Sequence, residues 1–92
     1  MISKTTDGFW KCYEHLPAGI KKQAKKAYVR FMDYPYSASL HFKQIHSTRP
    51  IFSVRITKNY RAIGTQKESE IIWFWIGSHA DYDKLVKQLR NP

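Results

Sequence analysis

Between Ala18 and Asp33 the apolar residues Ile20, Ala24, Ala27 and Phe31 recur at i, i+4, i+7 and i+11, while Lys21, Lys22, Lys25, Lys26 and Arg30 occupy the other sides. That spacing predicts an amphipathic helix with a basic back. Before it, Phe9, Tyr13 and Leu16 predict a short helix over "GFWKCYEHL", capped by Asp7 or Thr6 and broken at Leu16–Pro17. Residues 1–7 are polar and are expected to form a flexible arm.

After the turn-prone "DYPYSAS" the period changes from helical to alternating. "LHFKQI" predicts a strand carrying Leu40, Phe42 and Ile45. "IFSVRIT" predicts a second, with Val54 and Ile56 on one face and Ser53, Arg55 and Thr57 on the other, and "YRAIG" returns as a third. "EIIWFWIGS" is apolar without interruption from Ile71 to Ile76, as expected of a central strand covered on both faces. Ser78 and Asp81 then form a capping-box-like start to a helix whose buried stripe is Tyr82, Leu85, Val86 and Leu89. The order predicts one α+β domain over residues 1–92: two N-terminal helices on an antiparallel sheet of about four strands, with segregated helices and a C-terminal helix.

The hairpin "SVRITKNYRAIG" raises a question of register. A two-residue turn at Lys58 and Asn59 places Arg55 and Arg61 on opposite faces; a three-residue turn at Thr57, Lys58 and Asn59 sets them directly across from each other. The second is preferred, because it asks only Asn59 to adopt the left-handed conformation. Like charges opposed across two strands are destabilising. Either a phosphate or carboxylate sits between the two guanidinium forks, or the side chains splay apart onto Glu or Asp elsewhere.

Charge makes the first option concrete. Sixteen Lys and Arg against seven Asp and Glu give a net charge of +9 and a pI near 9.9, a balance suited to a polyanion or an acidic protein. Nucleic acid leads, and a membrane surface ranks well behind. The single cysteine, Cys12, offers neither an internal disulfide nor a zinc framework. No run approaches the roughly 20 apolar residues of a membrane span, so a cytoplasmic location is expected. His79, at the strand-to-helix junction, is suited to trading protons near neutrality. The helix start favours a neutral imidazole over a cation. Tyr82, one turn on, either stacks on a base or belongs to the core stripe. No Gly-rich phosphate loop or paired-His zinc signature is present, so any chemistry is expected to be metal-independent acid–base work on a bound anion, with no cofactor.

Taken together, "FWKCYEHLP", "AKKAYVRF", "SLHFKQI", "FSVRITKNYRAIG" and "WFWIGSHADYDKL" resemble toxins of the RelE/ParE superfamily from bacterial type II toxin–antitoxin pairs, over Phe9 to about Leu89. The resemblance implies a concave basic face neutralised by an antitoxin encoded in the adjacent frame. RelE-type members enter the ribosomal A site and cleave mRNA without a metal; ParE-type members poison DNA gyrase. By position, Arg61 matches a phosphate-contacting arginine of the nucleases, and Arg55 and His79 match positions that carry basic residues. Tyr82 approximates the tyrosine that stacks on the cleaved base. Ser53 stands where RelE-like sites have a further lysine. The expected catalytic set is therefore Arg55, Arg61, His79 and Tyr82, with Lys43, Ser53 and Lys58 contacting RNA.

Overall fold

The computed structural model describes residues 1–90. Eight regular elements follow in the order β1 (Ile2–Thr5), α1 (Asp7–Glu14), α2 (Ala18–Asp33), β2 (Lys43–Gln44), β3 (Ile51–Thr57), β4 (Tyr60–Lys67), β5 (Glu70–Ser78) and α3 (His79–Arg90). The five strands form one mixed sheet in the order β1-β5-β4-β3-β2, with β1 parallel to β5 and every other pair antiparallel.

The expected N-terminal arm is instead the edge strand β1. Its sequence gives no apolar alternation, and Ile2 is exposed, because β1 is held by pairing rather than by burial. Ile2 N donates to Ser69 O at 2.9 Å, Trp73 Nε1 donates to Ser3 Oγ at 3.0 Å, and Lys4 pairs with Glu70 at 3.1 Å. Thr6 then caps α1, its hydroxyl accepting from Phe9 N at 3.1 Å.

The α2 stripe falls as its period requires, with Ala24, Ala27 and Phe31 buried against the sheet. Phe31 meets Phe42 and Trp73 edge-on, at 5.0 and 5.3 Å between ring centroids. These residues, with Leu16, Leu40, Val54, Ala62, Ile71 and Ile76, form the larger core under α1 and α2. The opposite face carries a smaller core, in which Ile45, Ile51, Ile63 and Val86 are joined by Phe74, Trp75, Leu85 and Leu89 of β5 and α3. Helices therefore cover both faces rather than one.

The expected strand over "LHFKQI" shrinks to the two residues of β2. Leu40 enters the larger core from a 3₁₀ turn at Ala38–Leu40, whereas Ile45 belongs to the smaller one, so no single strand face unites them. The apolar run of β5 has a related cause. Ile63 pairs with Trp75 and Gly64 with Trp73, so Phe74 bulges out of register, and consecutive residues Phe74 and Trp75 both serve the smaller core. Gly64 fits this bulge because a Cβ there would lie 2.8 Å from the Trp73 ring and 2.9 Å from the Ile72 carbonyl oxygen.

Candidate anion-binding site

The smaller core covers only part of its face. Along β3 and β4, Ser53 and Ile63 pair beneath α3, and two residues further on Arg55 pairs with Arg61 on the same face. Arg61 in turn pairs with Gly77 of β5. A Cβ at Gly77 would lie 2.6 Å from Trp75 Cζ2, so the indole lies against the glycine that pairs with Arg61. The arginines thus lie in a half-buried row at the end of the sheet where β5 passes into α3.

The register predicted for the arginines is present, but the turn that produces it is different. Thr57 pairs with Tyr60 across a two-residue turn at Lys58 and Asn59, and a bulge at Ile56 restores Arg55 opposite Arg61. Neither turn residue has positive φ. Two side chains make the tight turn possible: Thr57 Oγ1 accepts from Asn59 N at 3.2 Å, and Arg61 Nη1 donates to the carbonyls of Thr57 at 2.7 Å, Tyr60 at 3.1 Å and Lys58 at 3.4 Å.

Among the described residues, neither arginine forms an ion pair; the only pairs are Lys4–Glu70 and His79–Asp83. Burial, and then the neighbouring Arg55 charge, push the Arg61 guanidinium below its ordinary range, while Tyr82 and Asp83 pull the other way. It remains a cation at neutral pH. The side chains do not splay onto carboxylates. Two adjacent guanidinium groups without an acidic partner are an electrostatic arrangement that a bound anion relieves.

The start of α3 borders this row. His79 N donates to Asn59 O at 2.7 Å, tying the helix to the hairpin turn, and Ser78 Oγ accepts from Asp81 N at 3.2 Å as the expected cap. His79 Nδ1 lies 3.2 Å from Asp83 Oδ2, and its ring lies 5.6 Å from that of Tyr82. Tyr82 thus lies near enough to the arginine pair to act on Arg61, and His79 adjoins Tyr82 and the hairpin turn. Asp83, absent from the expected set, joins them, and its i, i+4 spacing from His79 on a predicted helix is a sufficient signal for it.

The predicted RNA contacts separate. Ser53 is only 2% exposed and lies under Tyr82, whose hydroxyl donates to Ser53 Oγ at 3.2 Å. A side chain so covered cannot meet RNA, and the pair serves instead to hold α3 on the sheet. Tyr82 is correspondingly a half-buried tether, tilted against Trp75 at 6.5 Å, rather than a free stacking surface. Lys43 and Lys58 are exposed, Lys43 on β2 beside Ser53 and Lys58 at the hairpin tip.

A family model for the ParE-like toxin domain matches residues 18–84, the span that holds both arginines, His79 and Asp83. The chain belongs to the ParE-like toxin family. Solved structures agree on the fold. The RelB–RelE antitoxin–toxin complex of Methanococcus jannaschii matches with a TM-score of 0.73 at 18% identity, over 89% of this chain and 96% of that one. The YoeB/ParE toxin from Agrobacterium tumefaciens matches at 0.68 and 16% identity, over 86% and 99%. The isolated Escherichia coli RelE toxin matches at 0.61 and 14% identity, over 96% and 97%. A search of curated protein sequences gave no significant match. The chain thus carries a ParE-like toxin domain on the fold of these RelE and YoeB/ParE structures, with three α-helices around a five-stranded sheet among the described residues. Among the described residues no helix is long and apolar enough to cross a membrane.

Proposed function

We propose that this toxin is a metal-independent endoribonuclease that cuts mRNA on the ribosome and so stops translation. The observation that carries the reading is the Arg55–Arg61 pair, opposed across β3 and β4 with no ion-paired carboxylate among the described residues, near the start of the helix that carries His79. The guanidinium groups hold the scissile phosphate and stabilise the charge that builds on its oxygens. His79 Nε2 takes the proton of the adjacent 2′-hydroxyl, whose oxygen attacks phosphorus as the bond to the 5′-oxygen breaks. The leaving oxygen takes a proton from water, giving a 2′,3′-cyclic phosphate and a 5′-hydroxyl. Lys43 and Lys58 add phosphate contacts along the flanking strand.

An antitoxin encoded in the adjacent frame is the proposed partner, and the cytoplasm the proposed compartment. The outer side of α2 supports such a partner: Tyr28, Val29 and Met32 are exposed there among Lys22, Lys25, Lys26 and Arg30, a surface suited to an acidic segment with apolar anchors.

The buried Ser53, where RelE-like sites have a lysine, favours a second reading in which the toxin acts as ParE-type members do, binding DNA gyrase without cutting RNA. Induced expression in bacteria separates the two. The nuclease reading predicts new mRNA 5′ ends inside translated codons; an SOS response with intact mRNA overturns it.

A further inference from the structure

We propose that Asp83 is a positioning residue that fixes the His79 ring in the tautomer protonated at Nδ1, leaving Nε2 as the proton acceptor toward the substrate. The inference rests on the nuclease reading and adds a residue to it. The Nδ1 to Oδ2 distance is 3.2 Å, and the i, i+4 spacing on α3 sets the carboxylate one turn below the imidazole. An ionised carboxylate only accepts hydrogen bonds, so the nitrogen facing it is the one that carries hydrogen. A free imidazole prefers the opposite tautomer, with its hydrogen on Nε2, and in that form it presents a donor where catalysis needs a base.

The surroundings hold the ring for this role. Tyr82 lies against it and is itself tied to Ser53, and the His79 backbone is bonded to Asn59, so the imidazole is fixed from the sheet side as well as from Asp83. The other acid of this turn, Asp81, faces a separate cleft beside Lys11 and His15, leaving Asp83 as the carboxylate on the arginine side. Asp83 also adds negative potential near Arg61, which works against an anionic substrate. Its two effects therefore separate: it aids proton removal and weakens binding.

The test uses nitrogen-15 spectra of the His79 ring, taken where the ring is neutral, together with single-turnover mRNA cleavage on programmed ribosomes. In the wild-type protein Nδ1 carries the hydrogen. Asp83→Asn moves it to Nε2, as an amide facing a histidine permits, and slows cleavage about tenfold at saturating protein, while RNA affinity holds or rises. Asp83→Glu restores the tautomer and the rate. Both side chains of the pair are about half exposed, so these variants fold. A wild-type ring protonated at Nε2, or an Asp83→Asn protein that keeps the wild-type tautomer, overturns the proposal. So does a slowing that appears only as weaker RNA binding. If the wild-type protein cuts no mRNA at all, the nuclease reading fails, and the spectra alone still decide whether Asp83 sets the ring.

Discussion

The two faces of the sheet use similar strands for different ends. Under α1 and α2, Phe31, Leu40 and Trp73 interlock in a core without a buried charge, and each apolar residue has a neighbouring element to cover it. Under α3 the core is smaller, a buried serine takes part, and the next row of the same strands carries two arginines that form no ion pair among the described residues. The first face optimises burial. The second keeps a like-charge repulsion that Tyr82 and Asp83 offset without an ion pair to either arginine among the described residues, which leaves both guanidinium groups available to a ligand.

Cutting into the covered face gives the largest expected effect. Phe31→Ala removes a ring packed between Phe42 and Trp73 and costs about 3–5 kcal/mol, a large fraction of the stability of so small a domain. Denaturant unfolding measures it. A loss under about 1 kcal/mol would mean that the core collapses to fill the space and that the faces differ less in packing than described.

Gly77→Ala probes the border between the faces. The added methyl meets the Trp75 ring beside Arg61, and the expected cost is about 1–3 kcal/mol. Because Trp75 must move, RNA cleavage falls along with the melting temperature. Cleavage that falls without any loss of stability would place the glycine in substrate contact rather than in packing.

The arginines sharpen the comparison because they are not equivalent. Arg61 ties the hairpin turn through three carbonyls, so Arg61→Ala loses about 1–2 kcal/mol after the relieved repulsion is counted. Arg55→Ala loses no ion pair, and relief of the repulsion leaves stability unchanged or raises it by up to about 1 kcal/mol. Thermal melts of the two variants check the asymmetry; equal destabilisation would make Arg55 a structural residue.

Tyr82→Phe is the mildest change. It leaves Ser53 Oγ buried without its partner at a cost of about 1 kcal/mol. Cleavage by folded protein is nearly unchanged, as measured on programmed ribosomes. A hundredfold slower reaction would return the tyrosine to the chemistry.

What the sequence made legible follows from how each element is held. The α2 stripe, the β3–β4 pair and the α3 cap are fixed by local periodicity and side-chain chemistry, and the structure has all three. β1 is held by hydrogen bonds to a strand some 70 residues away, and no local pattern reports that. The arginine register was readable from the hairpin, but through a three-residue turn with a left-handed Asn59; the two-residue turn and the bulge at Ile56 that produce the same register leave no mark in the local pattern. Ser53 reads as a surface polar residue until α3 is folded over it.

The most direct test of the arginine row as the working surface is the cleavage of mRNA on programmed ribosomes by the wild-type toxin and Arg55→Ala, with the melting temperature of each measured alongside. The prediction is mRNA cut by the wild type to 2′,3′-cyclic phosphate and 5′-hydroxyl ends, with a rate at least about 10²-fold lower for Arg55→Ala at an equal or higher melting temperature. Wild-type cleavage by Arg55→Ala, or a lost activity that tracks a lost fold, contradicts it.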